Sequence, residues 1–202
     1  SSKRAFYADF GIHYEFNTTG NQKWAAGLVF APSLQVNHEN NLTYSNSSTS
    51  EGVDKSYHSR TQYLPMHIGA GISMTTERWV VTTDYNYLDW SRNTSSYTSM
   101  KYENQHKLNI GGAYITNPRL PRSTELMGGI GLSNSYINLR GGKMQYLEVS
   151  AGASFPIRYS YLSLGATWRK QINSRSSLMQ ESRFSMNLNI TFGERISRSK
   201  LR

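Results

Sequence analysis

At 202 residues the chain has the length of one domain. It carries 22 Lys and Arg against 13 Asp and Glu, for a formal net charge of +9, and it has no cysteine, which excludes a disulfide framework, thiolate metal sites and a cysteine nucleophile. No apolar run reaches the roughly eighteen residues of a membrane helix, and the basic charge comes without a stripe or an RNA-binding signature, so nucleic acid is not an expected partner.

Mean hydropathy is −0.59, yet the chain holds 14 Tyr and 16 Gly, a composition suited to strands with one wet face. The first such segment is Phe6, Ala8, Phe10, Ile12, Tyr14 and Phe16, alternating with Tyr7, Asp9, Gly11, His13 and Glu15. After a turn at 17–22, Trp24, Ala26, Leu28, Phe30, Leu34 and Val36 resume the pattern. Residues 38–59 are polar and read as a large loop into which the two flanking strands extend. Leu64, Met66, Ile68, Ala70, Ile72 and Met74 form a third strand. A tight turn at 75–77 leads to Trp79, Val81, Thr83, Tyr85 and Tyr87.

A second polar loop at 91–99 precedes Tyr102, His106, Leu108, Ile110, Gly112 and Tyr114, and the prolines of NPRLPRS then stop the ladder. Leu126, Ile130, Leu132 and Tyr136 follow. Beyond a loop at 139–143 come Leu147, Val149, Ala151, Ala153 and Phe155, then, after a turn at 157–160, Leu162, Leu164, Ala166 and Trp168. A polar loop at 173–180 precedes the ninth segment, RFSMNLNITF, whose parity is unbroken: Phe184, Met186, Leu188, Ile190 and Phe192 against Ser185, Asn187, Asn189 and Thr191.

Three features turn this alternation toward a transmembrane antiparallel β-barrel. The segments have the roughly ten residues a tilted strand needs to cross a bilayer. Aromatic residues tip the apolar parity near both ends, as interfacial girdles require; Phe6, Phe16, Trp79, Tyr87, Trp168, Phe184 and Phe192 are the expected lipid-facing girdle. The other parity is too polar to fill a small core, so His67, Asp84, Asn86, Lys107, Glu148, Asn187 and Asn189 are expected in a wet lumen, where Arg78 or Lys107 would pair with a carboxylate on a neighbouring strand.

Connections alternate short and long, which places the short turns in the periplasm. Residues 1–192 are then barrel strands and 193–202 a basic periplasmic tail. Nine strands would leave the termini on opposite sides of the membrane, whereas bacterial barrels usually have an even number. Strands preceding Ser1, or strands of another chain, are therefore expected to complete the barrel.

The segment WVVTTDYNYLDWS, preceded by PMHIGAGISM and followed by HKLNIGGAYI, resembles the long-chain fatty-acid and toluene transporter (FadL-like) family of Gram-negative outer membranes. The shared positions are Asp84, Tyr85, Tyr87, Trp90, Pro65, Gly69, Lys107, Gly111 and Tyr114, and the ending FGER with a basic tail resembles members from Bacteroidota. The resemblance implies that the chain is the C-terminal part of a barrel of about fourteen strands with an N-terminal hatch, which passes hydrophobic small molecules such as fatty acids.

Some such barrels instead serve as non-transporting subunits of secretion, assembly or uptake complexes, and that alternative stays open. A third, a small closed barrel with a lipid-modifying activity, requires the strand count to fail. The five histidines have no metal-ligand spacing and no catalytic constellation can be assembled, so neither an enzyme nor a metal or cofactor site is expected. Expected partners are outer-membrane lipid, lipopolysaccharide, a hydrophobic ligand and other complex subunits. Arg92, Arg140, Lys143, Arg169 and Lys170 are the candidate contacts to lipopolysaccharide phosphates. The sequons at Asn17, Asn41, Asn46 and Asn93 are read as ordinary loop chemistry.

Overall fold

The computed structural model describes residues 2–4, 6–18, 22–44, 53–57, 62–95, 99–120, 122–139, 142–157, 160–173 and 180–192, of which 2–4, 37–44, 53–57 and 192 by their backbone. Among these there is no helix. The strands are β1 (Ser2–Arg4), β2 (Phe10–Thr18), β3 (Gln22–Ala31), β4 (Leu34–Tyr44), β5 (Val53–Tyr57), β6 (Gln62–Leu64), β7 (Met66–Thr75) and β8 (Trp79–Asp89). They continue as β9 (Met100–Tyr102), β10 (Gln105–Ile115), β11 (Glu125–Asn134), β12 (Ile137–Leu139), β13 (Gln145–Ile157), β14 (Ser160–Asn173) and β15 (Ser182–Phe192). The tail at 193–202, Arg140, Asn46 and the side chain of Asn41 lie outside the described residues.

Nine strands form one antiparallel sheet in the order β15-β14-β13-β11-β10-β8-β7-β3-β2, a meander in which each strand pairs with its neighbours along the chain. These are the nine segments that the alternation marks out. Their connections divide between two ends: 19–21, 76–78, 116–124 and 158–159 at one, and 32–65, 90–104, 135–144 and 174–181 at the other. The second, long-connection end carries additional structure. There β4 pairs with β1, β5 and β6, and β9 pairs with β12, so the strand extensions expected within 38–59 are present.

Local chemistry explains the interruptions. Pro32 and Pro65 have no N–H for the ladder, and they fall where β3 passes into β4 and β6 into β7. Ser33 Oγ donates to the Leu64 carbonyl at 2.9 Å across that gap. In the turn between β7 and β8 the Trp79 N–H donates to Thr76 Oγ1 (2.9 Å) and the Thr76 N–H to the Trp79 carbonyl (2.8 Å). The longer connection at 116–124 is held by the Ser123 hydroxyl, 3.0 Å from Thr116 Oγ1 and accepting the Asn117 N–H at 2.8 Å.

Two expectations need correction. Phe6 precedes the first sheet strand, which starts at Phe10, and Tyr136 lies between β11 and β12 rather than on the sheet. Among the described residues β2 and β15 each pair on one side only, so these nine strands do not close on themselves, in keeping with the odd strand count.

Candidate functional site

Because the pairing register is known, every side chain can be assigned a face. Partners across an antiparallel ladder point the same way, so one row runs Tyr14, Ala26, Ile72, Thr83, Ile110, Ile130, Val149, Trp168, Phe184 across all nine strands. The next row on that face, toward the long-connection end, begins Ile12, Leu28, Ala70, Tyr85, Leu108, Leu132, Leu147. The face is predominantly apolar and open: Ile12 is 74% exposed, Ile130 56%, Leu188 64% and Met186 78%.

Beneath it there is no conventional core. Ala31 and Tyr146 are the buried apolar residues among those described. A contiguous apolar surface of this extent exceeds the few hundred Å² that soluble monomers expose, so the face itself is the first candidate interaction site. A groove of about 460 Å³ crosses it between Ile12, Tyr14, Leu28, Ile72 and Tyr85, over the small Ala26 and Ala70.

Of the expected girdle residues, Phe16, Trp79, Tyr87, Trp168 and Phe184 share this face, Phe6 is off the sheet, and Phe192 has its backbone in β15. Aromatic contacts gather toward both ends: Phe16 lies 6.4 Å from Trp24, and Trp79 lies 4.7 Å from Tyr114. Tyr87 and Tyr85 lie 5.2 and 6.1 Å from the His106 ring, and the Tyr85 hydroxyl is 2.6 Å from His106 Nδ1.

The opposite face carries every residue expected on the wet parity. Asp84 is its hub. Asn86 Nδ2 and Asn109 Nδ2 both donate to Asp84 Oδ1, at 2.7 and 2.9 Å. Asn86 Oδ1 lies 2.9 Å from His67 Nε2; an amide oxygen only accepts, so His67 donates through Nε2–H. Among the described residues, neither Arg78 nor Lys107 forms an ion pair with a carboxylate on a neighbouring strand. Arg78 Nη1 donates to the Tyr114 hydroxyl at 3.3 Å, and Lys107 faces Asn86 and Ser133 in the register.

Glycine shapes this face. Asn86 stands opposite Gly69, Asn109 opposite Gly131 and Asn187 opposite Gly165. In each pair the amide lies over the glycine, where a Cβ would meet its oxygen: 2.9 Å away at Gly69 and 2.7 Å at Gly131. The asparagines therefore lie flat along the sheet. The parity pattern placed them on this face but held no signal for their posture, since that depends on which residue is opposite.

A third cluster, which the sequence pattern missed, sits at the long-connection end. Trp90, Tyr102 and Tyr136 stack nearly parallel, with centroids 4.6 Å apart for Trp90–Tyr136 and 6.2 Å for Trp90–Tyr102. Around it Asn138 Nδ2 donates to Glu103 Oε1 at 2.6 Å, Lys143 Nζ lies 3.8 Å from Glu103 Oε2, and Asn134 joins Asn104 and His106. Asp89, at the end of β8, accepts hydrogen bonds from the Ser91 side chain and N–H, which lower its pKa. The three rings come from separate segments, so their meeting is a tertiary event.

Truncating Tyr136 to Ala removes two ring contacts worth about 0.5–1.5 kcal/mol each. Amide exchange at Met100–Tyr102 is expected to rise about tenfold while the central strands stay protected; unchanged exchange would mean the stack pins nothing.

The candidate headgroup contacts separate. Lys170 is on the apolar face, its Nζ 5.8 Å from the Trp168 ring, whereas Arg169 is on the opposite face with its guanidinium carbon 4.1 Å from the Tyr146 ring. Arg92 is exposed beyond β8, and Lys143 pairs with Glu103.

In comparison with known proteins, a family model described as BamG matches residues 1–199. No curated protein matches the chain. The match corrects the resemblance to FadL-like transporters, from which this family is distinct. The shared positions explain the error. Asp84 and Tyr85 sit on opposite faces of one strand and Pro65 breaks a ladder, which are requirements of this kind of sheet rather than marks of one family.

Proposed function

The chain belongs to the BamG family, and from that premise we propose that it is a membrane β-barrel subunit of an outer-membrane assembly complex, without a transport or enzymatic activity of its own. The family's name marks an outer-membrane assembly-related protein. The observation that carries the membrane part is the slant of the apolar band. In the sequence, aromatic residues end the apolar parity of β2 at Phe10 and Phe16 and that of β15 at Phe184 and Phe192.

Through the register, residue 13, midway on β2, aligns with 27, 71, 84, 109, 131, 148, 169 and finally 183. The midpoint on β15 is Leu188, five residues farther along (188 − 183). That is about 17 Å along the strands against about 38 Å across eight pairings, at ~3.3 Å per residue and ~4.8 Å per pair. An apolar face that packed on a second sheet would have no reason to drift in this way. A lipid slab crossing inclined strands requires it.

In this reading the long-connection end, with its added strands, faces outward and the short turns face the periplasm, so the C-terminal strand ends on the periplasmic side. Lys170 beside Trp168 then stands where an interfacial cation meets lipid phosphate. The flat amides of the opposite face, bonded to one another and lying over glycines, support a structural lining rather than a site for a hydrophobic cargo. Reconstituted in planar bilayers, the protein is expected to insert without stable conductance steps. Reproducible ohmic steps, or saturable passage of a hydrophobic solute, would overturn the non-transporting part.

A further inference from the structure

Toward the short turns the apolar face ends in a cluster of three side chains. Trp79 opens β8 and Tyr114 faces it from β10, their rings 4.7 Å apart and tilted by 50°. Because the apolar band drifts toward the short turns along successive strands, these two rings stand at its edge on β8 and β10, where interfacial aromatic residues belong. Arg78 lies one step beyond them, in the turn at 76–78, and is exposed. Its carbonyl accepts the Ile115 N–H at 2.8 Å, which ties the turn to the end of β10. The guanidinium reaches the apolar face, where Nη1 donates to the Tyr114 hydroxyl at 3.3 Å.

Bond direction decides what this pair can bind. A guanidinium only donates, so the Tyr114 oxygen is the acceptor and its O–H is not spent on Arg78. That O–H and the other guanidinium N–H groups are donors gathered at the level where the apolar band meets water. Donors so placed, one of them cationic, fit the two non-bridging oxygens of a phosphodiester. Inward from Tyr114 and Leu126 the face opens, since Gly112 and Gly128 stand opposite each other there. An acyl chain descending from that level meets backbone rather than side chains.

We infer that Arg78 and Tyr114 hold the phosphodiester of one glycerophospholipid in the periplasm-facing leaflet. Arg78 binds one non-bridging oxygen through its guanidinium, and Tyr114 donates its O–H to the other. The inference rests on the reading of the apolar face as lipid-facing, with the short turns in the periplasm.

The test titrates phosphatidylglycerol into the full-length protein in detergent and counts bound lipids by native mass spectrometry. Tyr114→Phe keeps the ring against Trp79 and removes only the hydroxyl, and Arg78→Gln removes the charge. Lys170→Gln, at the opposite edge of the band, is the control. Each of the first two is expected to weaken the tightest lipid site by about tenfold, the scale of one hydrogen bond to a charged group, while the control leaves it unchanged. Diacylglycerol, which has the chains without the phosphate, should not occupy that site. Wild-type affinity in Tyr114→Phe, an equal loss in Lys170→Gln, occupancy by diacylglycerol, or displacement of the lipid by equimolar inorganic phosphate overturns the inference. Flotation with phospholipid vesicles separates the two readings. Protein that floats but binds lipid equally in all variants loses only the phosphate site, whereas protein that does not float loses the lipid-facing reading as well.

Discussion

Leu164→Arg is expected to lower folding stability in lipid vesicles by about 2–4 kcal/mol, the cost of placing a guanidinium near the middle of a bilayer on the outer face of a barrel. Leu164 lies on β14 between Ala153 and Leu188 on the apolar face, and Leu188 is the midpoint of the aromatic-bounded interval on β15. It is 46% exposed, so the longer side chain can turn outward and the penalty is chiefly one of solvation. An arginine at such a position in water would cost almost nothing, as surface changes generally do.

The experiment follows tryptophan fluorescence during urea unfolding from vesicles, beside Thr191→Arg on the opposite parity of β15 as a control. A loss below about 0.5 kcal/mol would remove lipid as the solvent of this face. It would leave the apolar surface as a contact for protein. The two explanations of an exposed apolar sheet thus differ in the size of the loss at one residue.

How much of this was legible in the sequence can be judged strand by strand. The period-two alternation located all nine strands, because a strand with two unlike faces writes its geometry directly into the residue order. It also found both sets of connections. It erred at Phe6, where apolar parity continues upstream of the sheet although the backbone ladder begins at Phe10, since parity reports side-chain direction and not whether a partner strand is there to bond. The stack of Trp90, Tyr102 and Tyr136 was out of reach for the same reason: its members are twelve and more residues apart and meet only through the pairing of β9 with β12.

The family resemblance failed for a related cause. Short runs such as DYNYLDW are dictated by the two-faced strand, so they recur wherever such a strand is built. Which family the chain belongs to is carried by the full length of the match, not by that motif. The count of nine was right for the sheet, and it raised the question of what lies against the two edges.

Gly131→Val tests the second face. Valine suits strands better than glycine, by up to about 1 kcal/mol, so propensity alone predicts stabilisation. Sterics oppose it: the new Cβ would sit 2.7 Å from Asn109 Oδ1 and 3.6 Å from Glu148 Cβ, and the two methyls add further bulk. A free asparagine could swing aside cheaply. Asn109 cannot, because its Nδ2 is bonded at 2.9 Å to Asp84 Oδ1, the oxygen that also holds Asn86, and Asn86 meets His67. Moving it breaks a charge-assisted hydrogen bond worth about 1.5–3 kcal/mol.

Overpacking costs typically about 1–3 kcal/mol, and the expected net loss of stability is about 2–3 kcal/mol, read from urea unfolding as a lower midpoint. Asn109→Gly in the same chain removes the obstructing amide. In that background Gly131→Val should be neutral or stabilising, because only the strand preference remains. The coupling between the two positions is then at least about 2 kcal/mol, well beyond the few tenths seen for independent sites. An equal cost in both backgrounds would show that the amide does not occupy the space over Gly131, and the account of Gly69 with Asn86 and Gly165 with Asn187, which rests on the same geometry, would fall with it.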